Sequence, residues 1–304
     1  MSKETEKDGP KRLLFVFNPH SGKGQIKSKL LMVIDTFTKA GYDVTAYPTQ
    51  YQADCYRKVR DEGQGYDLIV CSGGDGTLDE TVSGIIKSDL GVPLGYIPAG
   101  STNDFANSLQ IPKDMDKAAE IAVYGNPFLC DIGRMNDMTF VYVAAFGLFT
   151  DVTYQTDQGL KNVLGHMAYI LEGAKRLNQI KSHRVKVRWD GNEIEEELIN
   201  GMVTNSKFVG GMSNLSGKST LLDDGLFEVL LVRRPKTATD LNETLTCLMT
   251  QKPDDKHVYS FKTSHVEFEF EEAPPWTIDG EFGGAYKNVS IDNRRQAVAI
   301  MVKQ

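Results

Sequence analysis

Apolar and polar positions follow two different rhythms along this chain. In the first, short apolar runs at 13–17, 67–71 and 93–97 each end in a turn built of Gly, Pro, Asn or Ser, the pattern of strands buried on both faces. Residues 42–47 alternate as a further strand. Between them, 26–40 spaces Leu30, Leu31, Ile34 and Phe37 at helical intervals and stops at Gly41, while 51–62 and 79–86 read as two more helices. Such alternation predicts an α/β domain: a parallel sheet with helices on both faces and ligands at the carboxyl ends of its strands.

Beyond about Cys130 the rhythm changes. Residues 139–145, 184–189, 193–199, 226–232, 265–270 and 297–302 read as strands, interrupted by only one or two helices. That predicts a mainly antiparallel β domain as the second. The expected organisation is a flexible tail at 1–10, an α/β domain at 11–132 and a β-rich domain at 133–291. The last stretch, 292–304, completes the first domain if its strand returns there.

Composition narrows the function classes. The chain has 304 residues, 40% hydrophobic and 25% charged, enough for one large or two ordinary domains with cores of their own. Asp and Glu (41) exceed Lys and Arg (34), for a net charge of −7. No overall basic excess exists to neutralise phosphates, so a nucleic-acid partner is not expected. Cys55, Cys71, Cys130 and Cys247 are far apart and without ligand spacing, which excludes a disulfide framework and a zinc site and suits a reducing compartment. The N-terminus is charged rather than apolar, and no run approaches the ~18–20 apolar residues of a membrane span. A cytoplasmic protein is the expectation.

Three turns follow strands of the first half: 18–24 (Asn-Pro-His-Ser-Gly-Lys-Gly), 73–77 (Gly-Gly-Asp-Gly-Thr) and 98–104 (Pro-Ala-Gly-Ser-Thr-Asn-Asp). Each places small residues where backbone N–H groups can close on an anion, with a helix N-terminus just behind. One such turn decides little, because ordinary strand-to-helix turns favour the same residues. Three in successive βα units point to a nucleotide-phosphate site. Lys23 is either a phosphate partner or an ordinary surface lysine. Residues 216–220 (Ser-Gly-Lys-Ser-Thr) imitate the end of a P-loop, but the required earlier glycine falls on Met212, so they read as a surface loop.

With these residues in view, the chain resembles the bacterial soluble diacylglycerol kinase and related lipid kinase family. The 73–77 turn is shared with sphingosine kinases, NAD kinases and phosphofructokinases; Asn18-Pro19-x-Ser21-Gly22, Pro98-x-Gly100-Ser101-x-Asn103-Asp104-Phe105-Ala106 and the late Asp279-Gly280-Glu281 are more selective. The resemblance runs from about Leu13 to Val302. It implies an α/β nucleotide-binding domain followed by a β-sandwich, and an ATP- and Mg²⁺-dependent kinase that phosphorylates a membrane lipid alcohol, diacylglycerol to phosphatidate first among the candidates. It further implies that Asn18, Pro19, His20, Ser21, Gly22, Thr49, Gly73, Gly74, Asp75, Gly76, Thr77, Leu78, Asp79 and Ser101 line the ATP site. Glu281 would be the general base, and Asp75 a second catalytic group. Leu221 and Leu226 through their carbonyl oxygens, with the Asp224 carboxylate, would hold a structural Mg²⁺. Asp75, Asp104 and Asp131 would form a carboxylate network linking that ion to the phosphates.

Two positions depart from the family pattern. Ser101 stands where Thr is usual and keeps the hydroxyl; Asp79 replaces a usual Asn and adds negative charge near the phosphates, which is expected to weaken ATP affinity or deepen the dependence on Mg²⁺. The residues alone make chemical sense of a metal, because Asp75 beside a polyphosphate requires a divalent ion between them. They leave Asp279-Gly280-Glu281 open, since Asp-Gly is also an ordinary hairpin turn.

Lipid access has its own signal. Lys161, Lys175, Arg176, Lys181, Arg184, Lys186 and Arg188 face only Glu172 in the same window, and 163–180 spaces apolar residues along one helical face. The segment is either a basic amphipathic helix on an anionic membrane surface or a core-packed helix with solvated charges. The implied location is the cytoplasm, peripherally on the inner face of the membrane, with a homodimer the oligomer that related enzymes form. The alternatives are a kinase of the same superfamily acting on a sphingoid base, a polyprenol or NAD, and a non-catalytic lipid- or nucleotide-binding module.

Overall fold

The computed structural model describes residues 9–148, 180–206, 208–209, 212–213, 221–250, 252 and 254–303. The expected helix at 163–180 apart from its last residue, with Lys161, Lys175 and Arg176, and the P-loop-like 216–220 lie outside the described residues. The chain divides into two compact units: 1–100, 109–128 and 298–304 form the first, and 101–108 with 129–297 the second.

The first unit alternates strand and helix: β1 (Lys11–Phe17), α1 (Ile26–Lys39), β2 (Tyr42–Pro48), α2 (Asp54–Glu62), β3 (Leu68–Gly73), α3 (Asp75–Lys87) and β4 (Leu94–Pro98). A short α4 (Asp104–Ser108) and α5 (Met115–Tyr124) follow. β2, β1, β3 and β4 pair in parallel in that order. β1, β3 and β4 are buried almost throughout, as strands covered on both faces must be. α1 packs with α5 and α2 with α3. α1 buries Ile26, Val33 and Phe37, whereas Leu31, expected on the apolar stripe, is 81% exposed. Five residues of helix turn it about 140° from Ile26, so its apolar character did not decide its face. α3 begins at Asp75, four residues before the expected start.

The second unit is antiparallel apart from its helices. Its strands are β5 (Asn126–Met135, entering from the first unit), β6 (Met138–Phe140), β7 (Val143–Gly147), β8 (His183–Trp189), β9 (Asn192–Thr204) and the two-residue β10 (Phe208–Val209) and β11 (Met212–Ser213). β12 (Phe227–Arg233), α6 (Ala238–Thr250), β13 (Val258–Thr263), β14 (His265–Phe270), β15 (Pro275–Ile278), β16 (Glu281–Ala285) and β17 (Asn288–Val302) complete it. The order is β16-β15-β7-β9-β8-β14-β17, with β12 between β9 and β13. At the core Phe146 and Trp276 meet Phe268 and Phe270 edge-on and each other tilted, while Phe268 and Phe270 stack, with Phe146 4.9 Å from both Phe270 and Trp276. β17 ends in the first unit, where Ile300 pairs in parallel with Leu94 of β4.

Candidate active site

The first unit brings the tips of all three turns together at the carboxyl ends of its strands. The Asn18 N–H, just past β1, donates to the Ser72 carbonyl of β3 at 2.9 Å, and the Thr49 N–H, just past β2, donates to Phe17 at 2.9 Å. The Ala99 N–H, past β4, donates to the Gly73 carbonyl at 2.7 Å. Adjacent parallel strands ending in register therefore place 18–22, Thr49, 73–76 and 98–100 side by side. At Gly22 (φ +56°) contact is close enough to exclude a side chain, since a Cβ there would overlap the Ala99 carbonyl oxygen; a Cβ on Gly74 would meet the Gly100 Cα at 3.5 Å, an ordinary contact.

Within the first turn, Asn18 Oδ1 accepts the His20 N–H at 2.9 Å, and the Asn18 carbonyl accepts from Ser21 at 3.3 Å. Asn18, Pro19 and Ser21 are half-buried, His20 and Gly22 exposed. The Gln50 N–H donates to Asp54 at 2.7 Å, which fixes the chain beside Thr49. In the second turn Gly74 passes directly into α3, so the positive end of the helix and the Asp75 carboxylate share one place, and the Thr77 and Leu78 N–H groups donate back to the Gly74 carbonyl at 3.1 and 3.2 Å. Gly74, Asp75, Gly76 and Asp79 are half-buried, whereas Thr77 and Leu78, also expected at the nucleotide, turn their side chains inward to 9% and 1% exposure.

Tyr96 was not foreseen. Its hydroxyl, fully buried on β4, donates to the Gly73 carbonyl at 3.3 Å. Burial, and then the charge of Asp75, push it well above the ordinary tyrosine range, so it remains a donor under the turn. No pattern in the sequence marks it, because a Tyr in a buried strand reads as core.

The remaining expected groups belong to the second unit. Ser101 is exposed, Asp104 opens α4 at 2% exposure, and Asn103 before it has φ +55°. Asp131 is fully buried on β5, and its carboxylate accepts the N–H groups of Gly225 at 2.6 Å and Gln296 at 2.7 Å. Its own N–H donates to the Leu222 carbonyl at 2.7 Å, so Asp131 pins the 221–226 loop. Burial raises its carboxyl above the usual range against the pull of those amides, and the Asp224 charge adds to the rise. Asn205, Asn293 and Gln296, unmarked in the sequence, complete its surroundings: Asn205 Nδ2 donates to the Asp131 carbonyl at 2.6 Å.

The 221–226 loop offers oxygen donors only, the set a hard divalent cation prefers. Leu221 is half exposed, and one oxygen of Asp224 already accepts the Leu226 N–H at 3.0 Å. The other lies 3.3 Å from the Lys262 ammonium, which also reaches buried Glu228 at 2.9 Å. The donors fit Mg²⁺, and an ion there shares Asp224 with a resident ammonium.

Asp279-Gly280 forms the two-residue turn of the β15–β16 hairpin, with φ +48° and +89°. Positive φ at both centres is the type I′ geometry, which Asp-Gly suits. Glu281, the first residue of β16, is exposed beside that turn and paired with Ile278.

The basic stretch on β8 is neutralised where it is described. Arg184 pairs with Glu195 at 2.7 Å, and Arg188 with Glu193 and Glu269 at 2.8 and 2.9 Å, across both neighbouring strands. No helix among the described residues is long and apolar enough to cross a membrane.

Comparison with known proteins agrees with the fold of an α/β domain followed by a β-sandwich-like domain. A family model described as the diacylglycerol kinase catalytic domain matches residues 12–135, and one described as the YegS C-terminal NAD kinase β-sandwich-like domain matches 143–302. The diacylglycerol kinase of Bacillus subtilis (strain 168) is 32% identical over 296 residues, 97% of each chain. That of Staphylococcus carnosus (strain TM300) is 33% identical over 277 residues, 90% of each. Among solved structures, one chain from Bacillus anthracis (strain Sterne) superposes with TM-score 0.81 at 23% identity, covering 100% of this chain and 99% of its own. A diacylglycerol kinase of the same organism gives 0.74 at 21%, covering 98% of each. At such identities these two structures speak for the fold.

Proposed function

The chain belongs to the diacylglycerol kinase catalytic-domain family and is a lipid kinase; we propose that it moves the γ-phosphoryl group of ATP to the free hydroxyl of diacylglycerol, giving phosphatidate and ADP, with Mg²⁺ required. The observation that carries this reading is the convergence of the three turns in the first unit. Phosphoryl transfer asks a protein chiefly for positioning and charge neutralisation, and closely packed backbone N–H groups at strand tips supply both.

In this reading 18–22, Thr49, 73–79 and Ser101 hold the nucleotide. The lipid hydroxyl oxygen attacks the γ-phosphorus, the bond to the β–γ bridging oxygen breaks toward ADP, and Glu281 accepts the hydroxyl proton. Mg²⁺, when bound, neutralises charge on the phosphates. Asp75 would face ATP-bound Mg²⁺; the carbonyls of Leu221 and Leu226 with Asp224 would hold a structural ion, and Asp104 and Asp131 would continue the carboxylate network. The enzyme works peripherally on the cytoplasmic face of the membrane.

Transfer of radiolabelled γ-phosphate to a panel of acceptors in mixed micelles tests the assignment. The panel holds diacylglycerol, a sphingoid base, a polyprenol and soluble NAD. Label is expected on diacylglycerol, only with Mg²⁺; label on another acceptor alone refutes the substrate, and transfer undiminished by chelator refutes the metal.

A further inference from the structure

The Asp279 carboxylate is inside the protein, 6% exposed, and does more than complete a turn. Its oxygens accept three successive backbone N–H groups, from Val141 at 2.5 Å, Tyr142 at 3.0 Å and Val143 at 2.9 Å. The Asp279 N–H in turn donates to the Val143 carbonyl at 2.9 Å. These amides are at the entrance to β7, and the Asp279–Val143 contact continues along the same edge the pairing of β15 with β7, in which Ile278 stands opposite Ala144. Three convergent amides form a concave anion site, here filled by a side chain of the chain itself.

The consequence falls on Glu281. It is two residues beyond the anchor, across a turn whose two centres are both at positive φ, and β16 has β15 as its neighbour in the sheet order. An exposed carboxylate at the start of an edge strand has no packing of its own to hold it; its place is set by the turn before it. We propose that Asp279 is the positioning residue of the reaction: its carboxylate, clamped on the 141–143 amides, fixes the β15–β16 turn and thereby the reach of Glu281 toward the acceptor hydroxyl. The inference rests on the reading of Glu281 as the general base.

A double-mutant cycle in the full-length enzyme tests it. Asn-Gly is itself a favoured pair for this turn and Asn tolerates positive φ, so Asp279→Asn preserves the local turn preference. It leaves one acceptor oxygen and turns an amide NH₂ on the same N–H groups. The variant is expected to lower kcat about tenfold or more with KM for ATP unchanged, and to speed hydrogen exchange at the amides of 141–143. In a Glu281→Gln background, read by long radiolabel incubations, the same change is expected to cost no more than about twofold, because a misplaced base matters only while a base is there. Equal losses in both backgrounds make Asp279 merely structural and overturn the assignment, as does full turnover of Asp279→Asn alone. Full turnover of Glu281→Gln instead removes the base reading, and the positioning role with it. If Asp279→Asn does not fold, Gly280→Ala, which strains the same turn and leaves the carboxylate, goes through the same cycle with the same outcomes.

Discussion

The contact between the first and third turns is open to a graded test at Gly22. Two separate costs attend Gly22→Ala. A Cβ at φ +56° costs about 1–2 kcal/mol in any setting. The new methyl also overlaps the Ala99 carbonyl, and restoring an ordinary C···O separation drives the two turns apart by roughly 1 Å. Overpacking of that kind adds about 1–3 kcal/mol. Together they should lower Tm by roughly 5–10 °C in a chain of this size. For function the displacement matters more than the strain, because misplacement by about 1 Å can reduce the efficiency of a positioned site ~100-fold. Gly24→Ala is the control: φ is +65°, but its Cβ would stand 3.6 Å from the Pro19 carbonyl oxygen, an ordinary contact. Binding of a fluorescent ATP analogue and differential scanning fluorimetry are measured on both. Gly24→Ala is expected to lose stability alone; Gly22→Ala should lose stability and bind nucleotide tenfold or more weakly. Equal nucleotide binding in the two variants, both folded, would refute the idea that the touching tips grip the phosphates.

Three further outcomes are expected. Burial raises the Asp292 carboxyl, but hydrogen bonds from Arg134 at 2.9 Å and His265 at 2.8 Å outweigh it and hold the group below its usual range. A lowered folded value contributes stability above the unfolded pKa, so Arg134→Met should cost about 1 kcal/mol in urea unfolding from pH 8 down to about 4, a gap that closes as pH falls through the folded value; a gap independent of pH contradicts the linkage. Lys262→Met removes an ammonium from Asp224 and from Glu228, which is 2% exposed, and should destabilise the protein by about 3–5 kcal/mol. Millimolar Mg²⁺ should raise the Tm of that variant more than that of the wild type, and an equal response in both would remove Asp224 from the metal site. Lys175→Glu with Arg176→Glu should weaken binding to vesicles of anionic lipid in a sedimentation assay, whereas Arg184→Glu with Arg188→Glu, on strand residues already paired with glutamates, should weaken it less; the reverse order contradicts the membrane role of the expected helix at 163–180.

Local constraints were the ones that could be read from the sequence. Each of the three turns carries its own run of small residues directly after a strand, a pattern visible within a few positions, and all three are found at strand tips. Helix faces were less legible: Leu31 satisfies a helical spacing and still points to solvent, since the sheet beneath α1 is met by Ile26, Val33 and Phe37. The expected strand 139–145 divides into β6 and β7 for a reason 136 residues away in sequence. The amides of 141–143 that would have continued a ladder are taken by the Asp279 carboxylate.

That non-local bond shows why the second unit's chemistry was less legible than the first's. Its polar groups act in pairs drawn from distant parts of the chain: Asp131 with Gln296, Asp224 with Lys262, Asp279 with Val141. Neither member carries a pattern that points to the other. The same holds for charge. Seven basic residues against Glu172 between 161 and 188 read as a positive surface, yet antiparallel pairing sets Arg184 and Arg188 opposite Glu195, Glu193 and Glu269. A charge excess along the chain becomes an excess in space only where neighbouring strands fail to answer it, and along β8 they answer it.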